Sequence, residues 1–128
     1  MKLRIHGNAV RLRLNQAEVA QFSKTGWIEE ALEFGPDATL TYTLESLASV
    51  PAPRAIFRNG VLKIQVPAGV ANEWITTDQV GMRGTQEIAA GKQLAILIEK
   101  DFQCAHNPEP DPDAYPNPEL ETTTTKME

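Results

Sequence analysis

The sequence predicts an α+β fold: a mostly antiparallel, curved sheet of about seven strands with two short helices, in the order β-α-β-β-β-β-α-β-β. Three observations predict it. Period-two alternation recurs in short segments and is cleanest where Leu40, Tyr42 and Leu44 alternate with Thr39, Thr41, Thr43 and Glu45. An Asn59-Gly60 pair separates two such segments, and this pair favours the two-residue hairpin turn in which both central residues take positive φ. Two stretches, opening at Asn15 and at Pro67, carry helix start signals. Strands this close in sequence pair mostly antiparallel.

Each element has its own signal. Residues 1–14 read as one strand. Its apolar residues sit at odd positions before Gly7-Asn8 (Leu3, Ile5) and at even positions after it (Val10, Leu12, Leu14). A bulge or sharp bend at Gly7-Asn8 would return both sets to one face. Asn15 caps a short helix, and Glu18 completes a capping box. Val19 and Phe22 supply its inward stripe, and Gly26 ends it in a left-handed conformation. Residues 27–34 form a strand with Ile28, Leu32 and Phe34 on one face, and Gly35-Pro36-Asp37 turns the chain into the strand around Tyr42. Ser46 to Pro53 is a loop, because Pro51 and Pro53 bar regular pairing. The Asn59-Gly60 turn joins Arg54–Arg58 to Val61–Val66. Pro67 opens a second helix running through Trp74. Val80–Ile88 and Leu94–Lys100 close the fold. The unbroken run Leu94 to Ile98 predicts a central strand covered on both faces.

Charge and proline divide the chain into two parts. Residues 1–103 balance 11 basic against 11 acidic residues, whereas residues 104–128 hold six acids and one lysine, so the net charge of −5 resides in the second part. Five of the nine prolines lie there as well. The expected organisation is a single domain over 1–103 with an acidic, proline-rich tail over 104–128. The acidic balance argues against nucleic-acid binding by bulk charge. The lone Cys104 forms no internal disulfide, which fits a reducing, cytoplasmic setting. No apolar segment follows Met1 in the manner of a signal peptide, and no run approaches the ~18 residues of a membrane span.

Three constellations are candidates for function. Lys2, Arg4, Arg11 and Arg13, with His6 and Asn8 between them, form a cationic stripe if the bend keeps them on one face. One reading makes the stripe a site for phosphate, carboxylate or an acidic peptide. A second pairs it with Glu29, Glu30 and Glu33 on a neighbouring strand. A third pairs it with the acidic tail of the same chain or of a second copy. The next constellation is Cys104 and His106 followed by Asp111 and Asp113: metal-ligating residue types without the paired-cysteine spacing of structural zinc sites. The last is Trp74 with Asp78, either core and turn or the wall of a ligand pocket, together with Tyr115, an aromatic between prolines suited to anchoring an extended tail. No P-loop, GxSxG or HExxH motif is present, and apart from that metal no cofactor is implied.

The opening MKLRIHGNAVRLRLNQAEV, the middle VANEWITTDQVG and the ending LIEKDFQCAHNPEPDPDAYPNP together resemble an uncharacterised family of small bacterial proteins. Its members open with a similar Arg-rich string and end on Asp-Phe-x-Cys and an acidic run closing in aromatic-Pro-Asn-Pro. The resemblance spans residues 1–118 and implies no activity. After Cys104 this chain has more proline and fewer acids than that pattern. Residues 2–22 also resemble the opening of swapped-hairpin transcription factors and antitoxins of the AbrB/MazE type, which implies DNA binding through basic strands. Those proteins carry a proline just before the helix, where this chain has Leu14-Asn15.

These observations favour a small, non-enzymatic binding or interaction protein that uses the basic strand face and the acidic tail, with self-association through the tail. A metal- or small-ligand-dependent enzyme around Cys104 and His106 and an AbrB/MazE-like DNA-binding protein are the alternatives.

Overall fold

The computed structural model describes residues 1–102. It is α+β, with two helices and eight strands arranged as two four-stranded mixed sheets rather than one curved sheet of seven. The elements run β1 (Lys2–His6), β2 (Ala9–Leu14), α1 (Gln16–Thr25), β3 (Trp27–Gly35), β4 (Ala38–Leu47), β5 (Arg54–Arg58), β6 (Val61–Pro67), α2 (Ala68–Thr76), β7 (Gly81–Ala89) and β8 (Lys92–Lys100).

The additional strand arises at Gly7-Asn8. The chain does not bulge there; it reverses, and β1 pairs with β2 in a hairpin. Gly7 takes φ 57, while Asn8 keeps negative φ, the pattern of a type II′ turn. Antiparallel pairing sets Ile5 opposite Val10 and Leu3 opposite Leu12, so the odd and even apolar residues share a face without any bulge. At the tip of the β5–β6 hairpin, Asn59 and Gly60 both take positive φ, 51 and 76.

Each sheet is two hairpins joined by a parallel pair at its centre. The first has the order β1-β2-β8-β7 and the second β3-β4-β6-β5. Exchanging β1–β4 for β5–β8 converts one order into the other, so the chain is two ββαββ halves that trade hairpins. The registers repeat as well. Ala9 faces Ala95 across the first parallel pair, and Thr41 faces Val61 across the second. Leu12 corresponds to Ile64, Leu14 to Val66 and Phe22 to Trp74, and all six are buried.

The core lies between the sheets and is closed by the helices. Asn15 caps α1 through a full capping box with Glu18, and Gly26 ends it at φ 73. Phe22 and Trp74 project from the two helices and are fully buried with Leu14, Leu44, Val66 and Ile98. Burying side chains of this size is the main favourable term in the fold, roughly 1.5–3 kcal/mol each. The sheets meet along seams. At one seam the Gln86 side chain accepts from Ala55 N–H (2.8 Å) and donates to Ala55 C=O (3.0 Å), standing in for a strand partner. At the other, the Met1 ammonium is bound by Glu18 and by Glu30 (2.9 Å), and the single proton of the Tyr42 hydroxyl is shared between Met1 C=O (2.8 Å) and Glu30 (3.1 Å).

Among the described residues, no helix is long and apolar enough to cross a membrane.

Candidate functional site

β1 and β2 are short, alternating strands, and their antiparallel register places like charges directly opposite one another. Lys2 faces Arg13, and Arg4 faces Arg11. β2 then pairs with β8, and β8 with β7, setting Arg11 beside Leu97 and Leu97 beside Arg83. One row therefore crosses all four strands: Arg4, Arg11, Leu97, Arg83. Neighbouring strands lie about 4.8 Å apart, so the row spans about 14 Å. These side chains point away from the core, because Val10, Leu12, Ile96 and Ile98 on the alternate positions are buried.

The outer face of this sheet is an open groove of about 890 Å³, lined by Arg4, His6, Arg11, Arg83, Thr85 and Leu97 among others. It explains the unbroken apolar run in β8. That strand is central in its sheet, but only its inner face is covered: Ile96 and Ile98 point into the core, while the alternate Ala95 and Leu97 line the groove. The prediction of cover on both faces is corrected accordingly.

The electrostatics are uneven along the face. At the end nearest the helices, the Glu99 carboxylate lies 2.9 Å from Arg13 Nε and 3.4 Å from Arg11 Nε, and Lys2 Nζ is 2.9 Å from Asp101. The hydrogen bond from Lys2 holds the Asp101 carboxyl below the usual carboxylate range. Among the described residues, Arg4 and Arg83 take part in no ion pair, and both are exposed. Glu29, Glu30 and Glu33, the expected partners of the stripe, lie in β3 in the other sheet, and Glu30 instead binds the Met1 ammonium. The cation partners come from the end of the last strand because β8, not β3, pairs with β2.

The other sheet shows what a neutral version of this face looks like. Its outer positions hold Arg54, Arg58 and Lys63 against Glu29, Glu33 and Glu45. The counterpart of the Arg13–Glu99 pair is Gln65, which donates to Glu45 at 3.0 Å and accepts from Arg54 at 2.8 Å. The groove face carries Lys2, Arg4, Arg11, Arg13 and Arg83 against Glu87 and Glu99 within its strands.

Of the sequence-predicted residues, Arg4, Arg11 and Arg13 come together on this face. Asn8 stands at its rim, where its side chain donates to Gln93 C=O (2.7 Å) and its own C=O accepts from Ala95 N–H (3.1 Å), so it ties hairpin to hairpin. Of the two readings of Trp74, core or pocket wall, the structure has it in the core. It is 0% exposed, its indole N–H donates to Val80 C=O at 2.9 Å, and Lys100 Nζ sits 5.7 Å from its ring. Asp78 is exposed in the turn between α2 and β7, away from the groove-lining residues. Tyr115 and the proposed ligands Cys104, His106, Asp111 and Asp113 lie outside the described residues. Among the described residues, no group of three or more His, Cys, Asp and Glu side chains is placed to hold a metal. Sequence reasoning missed Arg83 and Leu97, which reach the site only through the parallel β2–β8 pairing.

Comparison with curated proteins and with solved structures gives no match. A family match does cover the Arg-rich opening, both halves of the fold and most of the acidic segment, in keeping with the resemblance carried by the two ends of the chain. The chain belongs to DUF7009, a family of unknown function, whose pattern it matches over residues 1–119.

Proposed function

We propose that this protein is a non-enzymatic binding module whose outer β1-β2-β8-β7 face takes an extended, acidic protein segment. The observation that carries this reading is the row Arg4, Arg11, Leu97, Arg83, in which two of the three guanidiniums have no carboxylate partner among the described residues. Like charges set directly opposite across a strand pair destabilise a sheet. A partner bearing carboxylates relieves that repulsion on binding, and guanidiniums grip carboxylates in two-pronged fashion. Leu97 between them offers an apolar floor for the backbone or a small side chain of the same segment.

The test is fluorescence polarisation of a labelled Glu/Asp-rich peptide titrated with the full chain. Charge reversal at Arg4→Glu together with Arg83→Glu is expected to weaken binding at least about tenfold, the scale of losing a charged hydrogen-bonded contact. Added salt is expected to weaken the unaltered protein as well. Equal affinity for both proteins overturns the reading.

A second reading is DNA binding, favoured by one observation: the two halves exchange hairpins, and the most basic hairpin, β1–β2, lies on the groove face. In a mobility-shift assay it expects retardation of duplex DNA that is lost with Arg11→Ala and Arg13→Ala.

A further inference from the structure

We infer that the open end of the fold, opposite the helices, is a dimer interface that takes a second copy of this chain, mouth to mouth. Three observations lead to it.

The first is an apolar rim that both halves repeat. β2 runs parallel to β8 and β4 to β6, so the four hairpin tips, at Gly7-Asn8, Pro36-Asp37, Asn59-Gly60 and Ala90-Gly91, gather at one end, away from α1 and α2. The core stops short of these tips. Ile5 in β1 and Phe57 in β5 hold equivalent positions, two residues beyond Leu3 and Ala55, which pack in the core. Phe34 in β3 and Ile88 in β7 are equivalent as well, and each falls where the register of its hairpin shifts. Bulges at barrel rims re-aim side chains in this way. All four residues are between 52% and 72% exposed. The seams arrange them in two pairs. Gly84 lies against Pro53 and Gln86 binds Ala55, and the same step carried on brings Phe57 level with Ile88. At the other seam the Met1 ammonium binds Glu30, and the equivalent count brings Ile5 level with Phe34. Exposed apolar residues scattered singly need no explanation; four at matching places around one opening mark a surface that is covered.

The second is area. A whole aromatic side chain presents about 150–250 Å². At their exposures these four residues and Leu32, half-exposed on the same rim, offer roughly 550 Å² per copy. Two copies then bury about 1,100 Å² before any polar rim is counted, which suffices for a specific interface at the small, reversible end of the range.

The third is charge, and it sets the orientation. The tips beside the β1/β3 seam carry Asp37, and those beside the β5/β7 seam carry Arg58 and Lys92. All three are exposed and take part in no ion pair among the described residues. Glu33 and Glu87 occupy equivalent places and do not distinguish the two sides. A two-fold axis can bring two mouths together with like seams facing or with unlike seams facing. Unlike seams set Asp37 of each copy against Arg58 and Lys92 of the other, and the contact is made twice, as a two-fold requires. This arrangement leaves both groove faces open on one side of the dimer, so it stands independently of what they bind.

The test is sedimentation velocity of the full chain between about 1 and 500 μM. The expected result is a shift from monomer to dimer with its midpoint in the micromolar range. Phe34→Ser together with Phe57→Ser, both at exposed positions, is expected to weaken the dimer at least about tenfold and to leave the thermal unfolding midpoint of the monomer unchanged. Asp37→Lys alone, and Arg58→Asp with Lys92→Asp alone, are each expected to weaken it; all three substitutions in one chain are expected to restore it. These charge variants change only exposed tip residues, so they decide the matter even if the serine variant fails to fold. A chain that stays monomeric at every concentration overturns the inference, and so does a dimer that the serine variant forms equally well. A monomer that binds a fluorescent apolar dye, and loses it with Phe34→Ser and Phe57→Ser, assigns the mouth to a small apolar ligand and overturns it too. A triple charge swap that fails to restore the dimer overturns the pairing of unlike seams.

Discussion

Phe22 and Trp74 meet edge to face at the junction of the two halves of the chain, with ring centroids 6.3 Å apart and ring planes at 67°. They occupy equivalent places, one on each helix, and neither is exposed beyond 1%. The helix-to-helix contact is thus the centre of the repeated architecture, and it joins the halves that the exchanged hairpins also join.

Truncating either ring should therefore cost much of the stability. Phe22→Ala and Trp74→Ala are each expected to destabilise the fold by about 3–5 kcal/mol. The double variant should fall short of the sum by about 0.5–1.5 kcal/mol, the coupling of a direct aromatic pair. Urea unfolding of the four proteins measures it. Strict additivity would show that the two halves are not coupled through this contact.

The seam between β5 and β7 makes a second prediction. A Cβ on Gly84 would lie 2.9 Å from both Cβ and the carbonyl oxygen of Pro53, and backbone cannot give way as a flexible side chain does. Gly84→Ala is expected to cost about 1–3 kcal/mol. Gln86→Ala, which leaves both backbone groups of buried Ala55 without a partner, should cost a similar ~1–3 kcal/mol. Thermal unfolding unchanged by either substitution would show that the sheets are not held at this edge.

Tyr42 makes the seam around Met1 C=O and Glu30 sensitive to alkali. Burial, and then the hydrogen bond to Glu30, push the phenol above its ordinary value. A raised folded pKa gives stability that is complete below the unfolded value of about 10 and is lost as pH rises through the folded value. The stability advantage over Tyr42→Phe should therefore hold at pH 8 and shrink above about pH 10. Asp101 acts in the opposite range. Its lowered pKa gives stability present above about 3.9 and lost as pH falls through the folded value, and Asp101→Asn should remove that acid-side dependence. Urea midpoints between pH 2 and 11 read both limbs (about two units below the ordinary carboxyl value and about one above the phenol value).

The local features of this fold were legible in the sequence because their causes are local. The Asn15–Glu18 capping box, the Gly26 stop and the Asn59-Gly60 turn are each fixed within a few residues and stand where expected. The repeat was hidden for two reasons. Residues 1–14 read equally well as one kinked strand, which removes the match to the β5–β6 hairpin. The equivalent positions also differ in chemistry, as Phe22 differs from Trp74 and Arg13 from Gln65. The site was half legible. Arg4, Arg11 and Arg13 share a face by period and pairing, but Arg83 and Leu97 join them only through a parallel pairing of strands more than 80 residues apart, between Arg11 and Leu97. No turn or short spacing announces such a contact.

The most direct measurement of the central claim is a titration of unlabelled acidic peptide into the isotope-labelled full chain, followed by amide NMR. The account predicts shifts that cluster on Arg4, Arg11, Arg83, Thr85 and Leu97, with the outer face of the β3-β4-β6-β5 sheet unmoved. Shifts centred on Arg54, Arg58 and Lys63 instead, or none at saturating peptide, would contradict it.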